Sequence, residues 1–183
     1  MLPQWHKPDT LFQALNMLGP AANKIRIEFF GTKKSSILPT ARKYKIEQLI
    51  QFHDPVPYSE SLRTQCEADI LLHFVYNDPD LPGVFSGKLF EYFGARRPIL
   101  SVGNIQDNAL ADLIESREIG YVLNDPVEIA NKIENWFAHK STFGFIPSVE
   151  KNKYHGLSRE EEAKQLEDFL YSLINCDGNS TAN

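Results

Sequence analysis

The chain has 183 residues, a formal net charge of −5 and a hydrophobic fraction of 42%. This length fits one domain with a real core. Acidic and basic residues are mixed along the sequence. The sequence therefore has no basic stripe of the kind that indicates nucleic-acid binding. The N-terminus lacks the apolar core of a signal peptide, and no segment approaches the length of a membrane span. The two cysteines, Cys66 and Cys176, lack metal-ligand spacing, which predicts reduced thiols in a cytoplasmic protein.

Helical and strand periodicities alternate along the chain. Helices are predicted over residues 8–18, 36–44, 58–66, 86–95, 108–117, 127–140 and 158–174, and strands over 24–30, 46–52, 69–75, 98–102 and 120–123. Pro39 has to lie in the first turn of the second helix or break it. This succession of α/β units predicts a parallel sheet with helices on both faces. Such sheets bind ligands beyond the carboxyl ends of their strands.

The C-terminal part is less regular. Residues 141–156 are rich in aromatic and turn residues, and residues 158–174 form a strongly amphipathic pattern. The apolar face of this predicted helix implies that the helix packs against another surface. Its apolar residues are Leu166, Phe169, Leu170 and Leu173. The small polar residues at 176–183 predict a disordered tail.

The most informative segment is residues 82–92, with the sequence PGVFSGKLFEY, which follows the predicted strand 69–75. Glycines, a serine and a lysine cluster where a strand meets a helix, so backbone N–H groups and a positive helix end can face an anion. Lys88 in the first turn opposes the helix dipole, which a bound phosphate would compensate. Glu91, three positions later, shares its helix face. This pattern suits a nucleoside diphosphate, with its phosphates at the helix start and its ribose hydroxyls on Glu91.

A purely structural interpretation of this segment is equally open from the residues alone. Ser86 could cap the helix, Gly83 and Gly87 could shape a tight loop, and Lys88 could pair with Glu91 in solvent.

Other polar residues carry weaker signals. Lys33 follows the end of the predicted strand 24–30 and could approach a phosphate. His53 and His73 are isolated histidines, which are more often surface or packed side chains than catalytic groups.

The segments ADILL at 68–72, GVFSGKLFEY at 83–92 and RPIL at 97–100 together resemble the C-terminal, donor-binding domain of GT-B glycosyltransferases of the family 4 kind. The resemblance covers roughly residues 6–140. It implies a Rossmann-like α/β domain, one half of a GT-B fold, followed by a C-terminal amphipathic helix. It also implies transfer of a sugar from a UDP- or GDP-linked donor to an acceptor hydroxyl, without a metal ion or other cofactor. The residues it implies for the diphosphate are Phe85, Ser86, Gly87 and Lys88, and for the ribose Glu91; it leaves the catalytic residues unassigned.

The sequence departs from this family in two ways. The earlier glutamate of the family's pair falls on Gly83, so its contact with the donor sugar is lost or replaced by backbone groups. The family's opening strand and its N-terminal acceptor-binding domain, which usually carries the catalytic base, are missing. We therefore expect a fragment that is inactive alone and that could associate with a membrane through the absent domain. The predicted regions are a donor-binding domain at 1–140, a loop and helix at 141–175 that pack on it or on the absent domain, and the tail at 176–183.

Three alternatives remain. The chain could be a non-catalytic nucleotide-sugar-binding module, or a sugar-nucleotide epimerase of the same architecture. A flavodoxin-like signalling domain is the weakest of them, because the acidic cluster that it would need at a strand end is absent from the sequence.

Overall fold

Helices and strands alternate along the chain in the order that the sequence predicts. The computed structural model describes residues 8–75, 87–103 and 109–177. The helices are α1 (Asp9–Met17), α2 (Lys34–Lys43), α3 (Tyr58–Glu67), α4 (Gly87–Ala95), α5 (Ala109–Ser116), α6 (Pro126–Phe143) and α7 (Arg159–Asp177). The strands are β1 (Ile27–Phe30), β2 (Ile50–His53), β3 (Leu71–Phe74), β4 (Ile99–Val102) and β5 (Gly120–Leu123). Short 3-10 helices cover Gly19–Lys24, Glu47–Leu49 and Lys151–Tyr154.

The described strands all pair in parallel. β1 lies beside β2, with Ile27 opposite Ile50. β4 lies between β3 and β5, with Ile99 opposite both Leu71 and Gly120. Helices connect these strands, as parallel pairing requires. The predicted α/β fold with parallel strands is confirmed, although the described strands form two sheets, β1–β2 and β3–β4–β5, where the sequence predicts one.

Helices cover both faces of the three-stranded sheet. Alternate residues of a strand point to opposite faces. Leu71 and Ile99 pack in one buried cluster with α4 and α5, whereas Leu72 and Leu100 pack in another with α1, α2 and α6. Ile27 of β1 packs against that second cluster as well. The two sheets therefore share a core although they do not share backbone hydrogen bonds in the described residues.

Pro39 lies inside α2 without ending it. The prediction that Pro39 falls in the first turn or breaks the helix is wrong, because α2 begins at Lys34, before the predicted start. Ile37 and Ala41 on either side of Pro39 are completely buried. Packing of this face outweighs the poor helix propensity of proline.

Residues 144–157, which we call the return loop, pack back onto the α/β region. The Val149 amide donates to the Arg96 carbonyl across 2.9 Å. The Arg117 guanidinium donates to the His155 carbonyl across 2.7 Å. Tyr154 is buried in the cluster that α4 and α5 form. The loop is thus an integral part of the fold.

Helix α7 carries an apolar stripe that the described part of the chain leaves uncovered. Leu166, Phe169 and Leu170 are 58%, 58% and 49% exposed, and the side chain of Leu173 lies outside the described residues. The docking partner predicted for this helix is therefore not found in the described α/β region.

Helix α7 also reaches further than predicted. It ends at Asp177, so Cys176 is helical; the rest of the predicted tail, residues 178–183, lies outside the described residues. None of the described helices is long and apolar enough to cross a membrane.

Candidate functional site

The candidate site lies at the start of α4, beyond the carboxyl end of β3. Gly87 and Lys88 form the first turn of α4, and both are exposed. Phe85 and Ser86, the other two residues predicted to contact a diphosphate, lie outside the described residues, as does Gly83. The first amides of a helix have no partner within the helix and carry its positive dipole end. The described part of the site thus combines a helix start with a lysine ammonium.

Lys88 and Glu91 do not form the ion pair that the structural interpretation of this segment requires. Glu91 is half-buried, and its Oε2 accepts a hydrogen bond of 3.0 Å from Gln65 Nε2 on α3. Within the described residues, Lys88 has no carboxylate partner, and the second oxygen of Glu91, Oε1, accepts no hydrogen bond. No described residue therefore occupies the cation or this carboxylate oxygen.

The position of α4 is held by the residue that follows Glu91. The buried Tyr92 hydroxyl donates to the Leu72 carbonyl of β3 across 3.1 Å. Burial, and secondly the negative charge of Glu91, raise the pKa of Tyr92 to about 12. The phenol therefore keeps its proton, and the helix that carries Lys88 and Glu91 stays attached to the sheet.

Lys33 lies at the carboxyl end of the other sheet. β1 is followed by Gly31, whose φ of 66° lies in the left-handed region, and Lys33 is an exposed residue immediately before α2. Within the described residues, no side-chain hydrogen bond or ion pair joins Lys33 to the first turn of α4. Its role at a phosphate therefore stays a prediction.

The two isolated histidines occupy different environments. His53 ends β2, stacks on Phe30 with ring centroids 4.5 Å apart, and places Nε2 3.9 Å from the Glu28 carboxylate. His73 is buried on β3, and its Nδ1 lies 2.8 Å from the Ser101 hydroxyl. The contacts of both histidines are those of packed structural side chains. This is the role that the sequence favours for isolated histidines.

Two apolar or mixed cavities, each of about 250 Å³, lie away from the candidate site. One lies between the first 3-10 helix and α6, against Ile25 and Phe137. The other lies beside Asn16 and Lys45. Neither includes Lys88 or Glu91. In the part of the chain that the structure describes, no group of three His, Cys, Asp or Glu side chains could hold a metal ion.

Gln65 also belongs to the candidate site, and the sequence alone does not single it out. It lies on α3, is 8% exposed, and also donates to the Ser61 hydroxyl across 3.2 Å. The signal that could have identified Gln65 is a polar residue on the inward face of a predicted helix. Its contact with Glu91 spans 26 positions of the sequence, and local periodicity does not predict such a contact.

The fold is similar to the folds of several solved structures. WaaG, a glycosyltransferase involved in lipopolysaccharide biosynthesis, matches 72% of the chain with 18% identity and a TM-score of 0.56. HepE of Anabaena, in complex with UDP, matches 93% with 14% identity and a TM-score of 0.68. Sucrose-phosphate synthase of Thermosynechococcus elongatus matches 94% with 14% identity and a TM-score of 0.69. No protein-family model and no curated protein sequence matches the chain.

These matches cover only part of each solved structure. The chain spans 34% of WaaG, 46% of HepE and 43% of sucrose-phosphate synthase. It therefore has the fold of less than half of such a protein. At the level of the fold, this confirms the predicted resemblance to one half of a GT-B glycosyltransferase.

Proposed function

We propose that the chain is the donor-binding half of a glycosyltransferase that uses a nucleoside diphosphate sugar. Two separate observations support this proposal. WaaG, which has a similar fold, is a glycosyltransferase, and HepE, which also has a similar fold, is described in complexes with UDP and with UDP-glucose. The observation that carries the proposal is that, among the residues the structure describes, no carboxylate pairs with Lys88 and no donor bonds to Oε1 of Glu91, one turn later.

The donor would lie along the start of α4. Its diphosphate would face the first-turn amides and the ammonium of Lys88, with Phe85, Ser86 and Gly87 as further contacts and Lys33 as a more distant cation. A ribose hydroxyl would donate to Glu91 Oε1. The donor would be UDP- or GDP-linked.

Lysine and helix amides suit the charge that develops during glycosyl transfer. When the bond between the sugar and the diphosphate breaks, its electron pair stays on the diphosphate, whose negative charge increases. Fixed positive groups aimed at that oxygen stabilise the transition state. In this proposal Lys88 and the helix start supply that stabilisation, so no metal ion is required. The acceptor hydroxyl forms the new bond to the sugar and loses its proton to a base that none of the residues assigned here provides.

Transfer would need an acceptor-binding region outside these residues, since the chain spans less than half of the similar enzymes. We therefore expect the chain alone to bind a nucleoside diphosphate weakly and to transfer no sugar.

Isothermal titration calorimetry with UDP and GDP tests the proposal. Lys88→Met should weaken binding of the preferred diphosphate about 10-fold or more, because a hydrogen bond to a charged group is lost. It should change binding of the corresponding monophosphate less. Glu91→Gln should weaken both nucleotides. Lys164→Met on the exposed part of α7 is the matched control and should bind like the unchanged chain. Absence of binding by both UDP and GDP, or binding that neither Lys88→Met nor Glu91→Gln alters, contradicts the proposed site.

A further inference from the structure

We infer that Gln65 is a positioning residue that aims the Glu91 carboxylate at a ribose hydroxyl, an inference that rests on the proposed function. The amide nitrogen of Gln65 lies 3.0 Å from Glu91 Oε2 and 3.2 Å from the Ser61 hydroxyl. The buried Gln65 side chain thus links one oxygen of the Glu91 carboxylate to α3.

The chemistry of the two groups determines which way the amide faces. An ionised carboxylate only accepts hydrogen bonds, so the NH₂ end of Gln65 has to face Glu91. This orientation leaves Gln65 Oε1 buried and without a hydrogen-bond partner in the described part of the chain. An unpaired buried carbonyl is unfavourable. The amide is therefore held in this orientation by its contacts with Glu91 and Ser61.

Fixing Oε2 also restricts Oε1. A glutamate side chain has three rotatable bonds, and an unrestrained carboxylate would lose that freedom when it binds a ligand. With Oε2 held by α3, Oε1 has a restricted set of directions before the nucleotide arrives. Preorganisation of this kind improves affinity for the group that the carboxylate recognises.

Tyr92 ties α4 to β3 through the Leu72 carbonyl, independently of Gln65. Loss of the Gln65 amide should therefore affect the direction of the carboxylate more than the place of the helix. This difference separates a positioning role from a simple link between α3 and α4.

The test compares a ribonucleotide with its 2′,3′-dideoxy analogue, using whichever of UDP and GDP binds more tightly. Calorimetry should give a preference of about 10-fold for the ribonucleotide in the unchanged chain, as expected for a hydrogen bond to a charged group. In Gln65→Met, which keeps the length of the side chain and removes its donors, the preference should fall to about 3-fold or less, while affinity for the dideoxy analogue stays the same. Gln48→Met, at an exposed position, is the matched control and should keep the full preference.

Two further variants make the result specific. Gln65→Glu, which places an acceptor opposite Glu91, should reduce the preference at least as much as Gln65→Met. Adding Gln65→Met to Glu91→Gln should cause no further loss, because the two residues act through one contact. A full ribose preference in Gln65→Met, with or without a lower melting temperature, overturns the positioning role and leaves the proposed function standing. Failure of the unchanged chain to bind either nucleotide overturns the proposed function itself, and the positioning role with it.

Discussion

His73 Nδ1 lies 2.8 Å from Ser101 Oγ, and the two residues are direct partners in the β3–β4 register. Both side chains are buried, and Ser101 is completely so. The contact adds a side-chain hydrogen bond to the backbone ladder in the centre of the three-stranded sheet. It places His73 among the packed polar residues of the fold.

Ser101→Ala should lower the free energy of unfolding by about 1–3 kcal/mol, because it removes a buried hydrogen-bond partner of the histidine. Urea denaturation followed by circular dichroism measures the change. Ser172→Ala removes an exposed hydroxyl that bonds to the Phe169 carbonyl, and it should stay within about 0.5 kcal/mol of the unchanged chain. Equal effects from the two substitutions would show that the His73 contact contributes nothing.

The raised pKa of Tyr92 predicts a loss of stability in alkali. An unfolded tyrosine has a pKa near 10, whereas the pKa of folded Tyr92 is about 12. The folded chain therefore holds a proton that the unfolded chain releases. The resulting stabilisation is fully present below a pH of about 10 and is lost as the pH rises to about 12.

Tyr92→Phe should remove this contribution, so its free energy of unfolding should fall less steeply than that of the unchanged chain over the same pH interval. The expected difference in slope is up to about 1.4 kcal/mol per pH unit. Tyr58→Phe changes a tyrosine that is 66% exposed and should leave the slope unaltered. Identical slopes for Tyr92→Phe and Tyr58→Phe would refute the assigned cause.

Two glycines should respond in opposite ways to alanine. A Cβ at Gly120 would lie 2.1 Å from the Ile99 carbonyl oxygen, whereas a Cβ at Gly94 meets no atom within 4 Å. Gly120→Ala forces β5 away from β4 and should destabilise the chain at the upper end of about 1–3 kcal/mol. Gly94→Ala, within α4, should stabilise it by about 0.5–1 kcal/mol. Thermal denaturation measures both, and a neutral Gly120→Ala would contradict the close approach of the two strands.

Phenylalanine truncation should separate the core from α7. Phe12 is completely buried in the cluster that joins both sheets, and Phe169 is 58% exposed. Phe12→Ala should therefore cost about 3–5 kcal/mol, which is enough to unfold a marginal domain. Phe169→Ala should change the free energy of unfolding by no more than about 0.5 kcal/mol. A large loss in Phe169→Ala would mean that this side of α7 is covered in solution.

Local sequence patterns predict the kinds and the order of the elements well, because each strand and helix carries its own periodicity. They fail where packing between distant elements decides the outcome. Pro39 stays within α2 because Ile37 and Ala41, two positions before and after it, are completely buried. The described strands β1 and β3 belong to separate sheets. Which strands become neighbours depends on the fold as a whole, and the sequence of a single segment does not determine it.

The candidate site also combines residues that local sequence predicts with a residue that only tertiary packing brings in. The short spacing from Gly87 to Glu91 marks a helix start with a cation and a carboxylate, and the structure places these residues in that order on α4. Gln65 becomes part of the candidate site only because α3 packs against α4. The partner of a site residue is therefore harder to predict than the residue itself.

The return loop limits where this polypeptide can be shortened. A chain cut just after α6 would lose Tyr154 from the cluster under α4 and would leave the Arg96 carbonyl without the Val149 amide. It would thereby weaken the support of the same helix that carries Lys88 and Glu91. Any trimmed version intended for nucleotide titrations should retain the polypeptide through residue 157, even though the last strand ends more than thirty positions earlier.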